Sequence, residues 1–303
     1  MHLTLRQIEV FNAVAQLRNY TRAAEALHMS QPAVSMQIKQ LEDSVGLPLF
    51  EQIGKKISLT HAGKHMYSYG RNMADLLEEA DEVFEAIKGI ERGVLSISVA
   101  TTASHFATRL LAEFSKQHSG ITISLDITNR EALRRQLERN ERDLVIMGQP
   151  PEGMEVIAEP FMNNPLVMIA PADHLLAKEK NISLDHFANE QFVVREPGSG
   201  TRHAIERFFE QHGVNFNTGI EMTSNEAIKQ AVEAGLGLGI VSIHTLELEL
   251  ETQRICILDV RDFPIQRHWY VLQPKGKRLS PAAKAFKEFV LNEAEQFIRL
   301  PSR

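Results

Sequence analysis

Three stretches of the chain place small hydrogen-bond donors where an apolar strand gives way to a helix, an arrangement suited to holding a small anion. They are Thr101-Thr102-Ala103-Ser104, Ser224-Asn225-Glu226, and Arg195-Glu196-Pro197-Gly198-Ser199-Gly200-Thr201-Arg202. Glycine lets the backbone approach a ligand, while the free N–H groups and dipole of a helix start favour negative charge. Ser199, Thr201 and Arg202 add donors of their own. A small carboxylate or a phosphate ester suits such a site. Serine and threonine also cap helices that bind nothing, so the anion reading requires the junctions to share one cleft, which spacing alone does not show.

A second chemistry is written near the N-terminus. In Ser30-Gln31-Pro32-Ala33-Val34-Ser35-Met36-Gln37-Ile38-Lys39, amides and hydroxyls can donate and accept at base edges, and a small Ala or Pro can touch a thymine methyl. The Gly54-Lys55-Lys56 segment suits phosphate contact. The plainer alternative is a three-helix interaction module whose polar face is merely solvated. Other constellations fail on spacing. Gly235, Gly237 and Gly239 alternate rather than following the dinucleotide pattern, which fits close helix–strand packing. His61 and His65 lack the Glu of a zinc helix and read as a surface pair, and Gly198 directly precedes Ser199, against the order of a nucleophile elbow. No metal, cofactor or catalytic residue is assigned.

These residues need elements to position them. Leu5, Ile8, Phe11, Val14, Ala15 and Leu17 recur at helical spacing, and Thr21 is the expected cap of a short helix reaching about Leu27. Ser30 caps the next helix, with Pro32 in its first turn; that helix buries Val34, Ile38 and Leu41 and stops at Gly46. Two short helices around a turn near His28-Met29 are the helix-turn-helix plan, and Leu49 to Thr60 reads as a β-wing. Beyond Gly63, Met66, Tyr69, Met73, Leu76, Ala80, Val83, Ile87 and Ile90 keep a strict 3-4 repeat, a seam that predicts a dimer. Packing of this helix on its own C-terminal domain is the competing reading. Gly89 and Gly93 bracket the seam's end as hinge points.

From Val94 onward, strands at 95–100, 121–127, 143–147, 166–170, 192–195 and 239–242 alternate with helices, which argues for α/β sheets. Breaks near Phe161 to Pro165 and Pro264 to Gln266 suggest two lobes, the first completed by the strand 268–272 and the helix after Ser280-Pro281. The expected domains are residues 1–60, 61–92 and 93–303, with lobe I at about 93–162 plus 268–303 and lobe II at about 163–267.

Composition agrees with a globular protein: 303 residues, 43% hydrophobic and 24% charged, suggest about two domains. The formal charge of -6 argues against a uniformly basic coat, yet residues 1–60 carry six Lys/Arg against five Asp/Glu. The acid excess therefore belongs to the remainder. The single Cys256, the short apolar stretch Gly237 to Ile243, and a start lacking a signal-type apolar region lead to the expectation of a cytoplasmic, non-membrane protein.

The motifs Leu5-Arg6-Gln7-Ile8, Phe11, Thr21-Arg22-Ala23-Ala24, Leu27, Ser30 to Ser35, Gln37-Ile38, Leu41-Glu42, Gly46, Leu49-Phe50 and Leu59-Thr60-His61-Ala62-Gly63 together resemble the winged helix-turn-helix of LysR-type transcriptional regulators. Gln52 departs from that pattern, since most of the family has Arg there, and phosphate contact would shift to Lys55 and Lys56. The resemblance implies DNA contact by Thr21, Arg22, Ser30, Gln31, Pro32, Ala33, Ser35, Gln37, Lys39, Lys55 and Lys56. It also implies an α/β effector domain of two lobes, similar to periplasmic solute-binding proteins, behind a linker coiled-coil helix.

Asn129-Arg130-Glu131, Ile146 to Gly153, Asn164-Pro165-Leu166, Arg195 to Arg202, Ser224 to Ala231 and Lys277 to Pro281 look like the regulators of RuBisCO and Calvin-cycle operons. This implies an effector held by Thr101, Thr102, Ser104, Thr128, Gly148, Gln149, Ser199, Gly200, Thr201, Arg202 and Asn225. Ribulose bisphosphate, phosphoenolpyruvate and NADPH are the effectors of that subgroup. The implied partners are double-stranded promoter DNA, a second copy of the chain through the linker helix, a homotetramer, a small anionic metabolite and RNA polymerase. Control of inorganic carbon uptake or sulfur metabolism, or a non-regulatory anion-binding α/β protein, are the alternatives.

Overall fold

The computed structural model describes residues 3–53, 56–87 and 93–298, which fall into two compact units. The first comprises Met1–Ile90 with the short segments Arg139–Glu141 and Gly276–Pro281. Its first helix, α1 (Leu5–Leu17), opens with a reciprocal cap: the Gln7 N–H donates to Thr4 Oγ1 at 3.2 Å, and the Thr4 N–H donates to Gln7 Oε1 at 3.0 Å. That cap draws Gln7 inward. The buried stripe is Gln7, Ile8, Val10, Phe11 and Val14, whereas Leu5 and Leu17, expected on it, are exposed.

Helix α2 (Tyr20–Ala26) is capped by Asn19, whose Oδ1 accepts from the Arg22 N–H at 3.0 Å. Thr21 lies inside the first turn, exposed, and is not the cap. Helix α3 (Gln31–Val45) begins at Ser30, whose Oγ accepts from the Ala33 N–H at 3.4 Å, and ends at Gly46 with φ 78°. Val34, Ile38 and Leu41 face the core with Phe11, Val14, Ala23 and Leu49.

Strands β1 (Phe50–Ile53) and β2 (Lys56–Leu59) form the antiparallel wing, Phe50 opposite Leu59. Glu42 fastens it to α3, because its Oε1 accepts from the N–H groups of Leu49 at 2.7 Å and Phe50 at 3.1 Å. Helix α4 (His61–Ile87) follows. Lys277, nearly fully buried, pairs with Asp75 of α4 at 3.1 Å, and Asp75 also accepts from Asn140 Nδ2 at 2.7 Å.

The second unit holds two five-stranded sheets. One is built from β3 (Gly93–Ala100), β4 (Ile121–Thr128), β5 (Leu144–Met147), β6 (Val156–Asn163) and β12 (His268–Pro274), in the order β4-β3-β5-β12-β6. The other is built from β7 (Leu166–Pro171), β8 (Phe192–Arg195), β9 (Thr218–Met222), β10 (Leu238–Ser242) and β11 (Ile255–Ile257), in the order β11-β7-β10-β8-β9. The parallel pairs β3·β4, β3·β5, β8·β10 and β8·β9 require crossovers, supplied by α5 (Ser104–Gln117), α6 (Arg130–Glu138), α7 (Gly200–Gln211) and α8 (Asn225–Glu233). Helices α9 (Glu247–Glu251) and α10 (Pro281–Phe297) complete the set.

Strands β6, β9 and β11 escape the sequence pattern. All three are sheet edges, and β6 contains Glu159 and Pro160, which only an edge tolerates. The chain passes between the sheets at 163–166 and 265–268, where the Asn164 N–H donates to the Arg267 carbonyl at 2.7 Å and Leu166 pairs with Ile265.

Cores lie on both faces of the second sheet, around Phe187, Phe192 and Phe209 on one side and Val193, Ile228 and Val241 on the other. Gly239 permits this packing: a Cβ there would stand 2.9 Å from Val232 Cγ2 and 3.1 Å from Ile169 Cγ1. No helix among the described residues is long and apolar enough to cross a membrane.

Candidate anion pocket and nucleic-acid interface

Two of the three strand-to-helix junctions meet. Thr101 and Thr102 at the end of β3, Gly148 and Gln149 after β5, and Ser199, Gly200 and Thr201 at the start of α7 line one small cavity of the second unit. Its volume is about 40 Å³, room for roughly three waters or one phosphoryl-sized group. Asn164, Arg130, Arg195, Arg267, Ser242 and Trp269 close it.

Arg195 is already neutralised. Its guanidinium forks onto Glu196 at 2.7 and 2.8 Å and donates to Asn225 Oδ1 at 3.3 Å. Arg130 and Arg267 differ. Arg130 donates to the carbonyls of Gln149 at 2.8 Å and Pro150 at 3.4 Å, and Arg267 donates to the carbonyl of Gly148 at 3.1 Å. Neither has a carboxylate within ion-pair distance among the described residues. Burial lowers the pKa of Arg130, and burial followed by the like charges of Arg130 and Arg207 pushes Arg267 down to about 10. Two guanidinium groups, Arg267 largely buried and Arg130 half-buried, with Glu152 acting on Arg130 but no carboxylate among the described residues paired to either, favour an anionic ligand.

The neutral polar groups agree. Asn164 Oδ1, Ser242 Oγ and Trp269 Nε1 are buried without a hydrogen-bond partner among the described residues. Ser199 makes no capping bond to α7, so the first N–H groups of that helix are not taken by its side chain. A Cβ on Gly148 would stand 3.1 Å from both Arg267 Nη2 and Asn164 Nδ2, and one on Gly200 would stand 3.3 Å from Arg130 Nη1. Glycine at these positions leaves the space for a ligand.

Four expected residues stand elsewhere. Ser104 Oγ donates to the Thr101 carbonyl at 2.6 Å, and Thr128 ends β4 outside the cavity wall. Asn225 acts through Arg195, and Ser224 caps α8 by accepting from the Ala227 N–H at 3.1 Å. Arg202 lies outside the cavity wall as well. Its guanidinium is held by Glu206 at 2.8 Å, Glu221 at 2.6 Å and the Arg195 carbonyl at 3.0 Å, so it braces β8 and β9. Arg130, Arg267, Asn164, Ser242 and Trp269 were missed because each comes from a different element. The unpaired cation just past the Pro264 to Gln266 break was the one available signal for Arg267.

In the first unit, α2 and α3 form the helix-turn-helix, with the turn closed by Met29 N–H to the Ala24 carbonyl at 2.8 Å and His28 at φ 52°. Thr21, Arg22, Gln31, Pro32 and Lys39 are exposed, and Ala33, Ser35 and Gln37 are half-buried. Gln31 Nε2 donates to Ser35 Oγ at 2.8 Å, which aligns the amide along the outer face of α3. Exposed Met36 shares that helix's surface and was not anticipated. Lys55 and the side chain of Lys56 lie outside the described residues, as do Gly54, Gly89 and Ile90. Along α4, Tyr69, Met73, Leu76, Val83 and Phe84 are exposed large apolar groups. His61 and His65 are an exposed pair, their Nε2 atoms 3.3 Å apart.

Residues 5–64 match the family of bacterial regulatory helix-turn-helix proteins of lysR type, and residues 88–295 match the LysR substrate binding domain. The chain belongs to the LysR family of transcriptional regulators. As a LysR-family protein it is a DNA-binding transcriptional regulator with a LysR substrate binding domain, a family of regulators rather than enzymes. It is 58% identical over 294 residues, covering 97% of each chain, to the RuBisCO operon transcriptional regulator of Allochromatium vinosum. The regulatory domain of Synechocystis PCC6803 CcmR, solved in complex with 2-PG, is 41% identical with TM-score 0.65 and covers 70% of this chain and 100% of its own. A full-length OxyR variant from Pseudomonas aeruginosa superimposes with TM-score 0.81 over 100% of both chains at 20% identity, a likeness of fold.

Proposed function

We propose that this LysR-family regulator controls a RuBisCO operon in response to a small phosphorylated acid bound between Arg130, Arg267 and the start of α7. The carrying observation is the 58% identity over 97% of the chain to a RuBisCO operon regulator. Among the described residues the pocket supplies the physical support: two guanidinium groups that no carboxylate pairs, one largely buried and one half-buried, three buried polar atoms without a hydrogen-bond partner, and volume for one phosphoryl-sized group. The same volume disfavours NADPH as the resident ligand.

The exposed stripe of α4 packs against its counterpart in a second copy, and two dimers form a tetramer. Paired α3 helices then read two half-sites about one DNA turn apart, within the cytoplasm where the promoter lies. The output is a change in RNA polymerase recruitment at the adjacent promoter.

The test is a footprint on the RuBisCO promoter of the source genome, with and without 2-phosphoglycolate. A two-fold-symmetric, salt-sensitive footprint whose edges move with ligand is expected. A ligand-independent footprint, or protection only at an unrelated carbon-uptake or sulfur promoter, overturns the assignment.

A further inference from the structure

The small cavity opens onto a much larger groove. The two share Arg130, Gln149, Glu196 and Gly200 as walls, and the groove has a volume of about 680 Å³. Its long side is α7, from which Gly200, His203, Ala204, Glu206, Arg207 and Glu210 line the space. Within this region the other arginines are engaged. Arg134 is held by Glu138 at 2.9 Å, Arg202 by Glu206 and Glu221, and Arg195 by Glu196. Arg207 lines the groove with no ion-pair or hydrogen-bond partner among the described residues.

Arg207 is seven residues past Gly200, about 10 Å along the helix axis. Long helical side chains lean toward the helix N-terminus, which carries the guanidinium back toward the mouth of the cavity. The groove that Arg207 lines shares its walls Arg130 and Gly200 with the cavity that Arg267 lines. The groove also carries Glu131, Glu152, Glu196, Glu206 and Glu210, so apart from its arginines and His203 its charged walls are acidic.

We infer that Arg207 forms a second anion subsite at the cavity mouth, and that the ligand is a short molecule with two anionic ends, a phosphoryl group inside and a carboxylate against Arg207. This rests on the anion reading of the inner cavity. A long bisphosphate would carry its second phosphoryl group past Arg207 toward the glutamates, where like charge opposes it.

Trp269, the only tryptophan of the chain, lines the cavity, so its fluorescence reports binding, with calorimetry as the second readout. Inorganic phosphate and 2-phosphoglycolate are titrated separately into the full-length parent protein, Arg207→Gln and Arg134→Gln. In the parent, 2-phosphoglycolate is expected to bind at least tenfold tighter than phosphate. In Arg207→Gln that ratio is expected to fall about tenfold through weaker 2-phosphoglycolate binding, while Arg134→Gln keeps the parental ratio. An unchanged ratio in Arg207→Gln overturns the subsite and leaves the inner pocket standing, as does an equal loss for both probes. Failure of the parent to bind either probe overturns the pocket reading and the subsite with it.

Discussion

Replacing Arg267 by Met should stabilise the ligand-free second unit while removing its response to ligand. Arg267 is a buried cation whose pKa stands at about 10, well below the usual guanidinium value, a difference of about 3 kcal/mol against the charged form. The sign follows from proton uptake: above pH 10 the unfolded chain still holds the proton that the native state gives up, so below pH 10 the native state bears the full penalty. Methionine removes the charge and keeps much of the volume, but forfeits the 3.1 Å charge-assisted bond to the Gly148 carbonyl, worth about 1.5 to 3 kcal/mol. The net expectation is a gain of up to about 1.5 kcal/mol, or up to roughly 6 °C in Tm for a domain of this size.

Urea unfolding followed by Trp269 fluorescence measures it. Adding 2-phosphoglycolate at a hundred times its Kd should stabilise the parent by about 2.7 kcal/mol and the variant negligibly. A variant less stable than the parent by more than about 1 kcal/mol without ligand, or one that gains equally from ligand, refutes the reasoning.

Gly148→Ala places a methyl group 3.1 Å from Arg267 Nη2 and Asn164 Nδ2, so calorimetry should show at least a tenfold loss of 2-phosphoglycolate affinity with a near-parental Tm. Leu76→Glu in the exposed stripe of α4 buries two carboxylates per dimer at about 1 to 3 kcal/mol each, and sedimentation should show dissociation into monomers. His105, held below 6.5 by burial and then by Lys229, and His244, lowered by burial against its bond to the Asn163 carbonyl, should make the second unit acid-labile. Because the unfolded chain takes up these protons first, Tm should fall as pH drops below about 6.5, and His244→Gln should flatten the fall. Gln31→Ala should weaken specific DNA binding by about 1 to 3 kcal/mol in a mobility-shift assay while the dimer persists in sedimentation.

The DNA-reading module was legible because its determinants are local. Ser30, Gly46 and the spacing of Val34, Ile38 and Leu41 all act within one helix, and the helix-turn-helix departs only at the cap of α2, where Asn19 lies one residue before the helix and Thr21 inside it. The pocket was half legible. Thr101, Thr102, Ser199, Gly200 and Thr201 belong to local strand-to-helix turns that composition can mark. Arg130 and Arg267 are brought together by topology, since residues 265–268 return to the first sheet far from α6 in sequence. Arg202 had the opposite fate. Its i+4 partner Glu206 was visible as a competing local pair, and the fold adds Glu221 from the neighbouring strand.

The most direct test is the footprint of Arg267→Met beside that of the parent protein on the same promoter, each with and without 2-phosphoglycolate. The account predicts that ligand moves the parent's footprint and leaves the variant's at its ligand-free limits. A variant footprint that still moves with the ligand, at the concentration that moves the parent's, would contradict it.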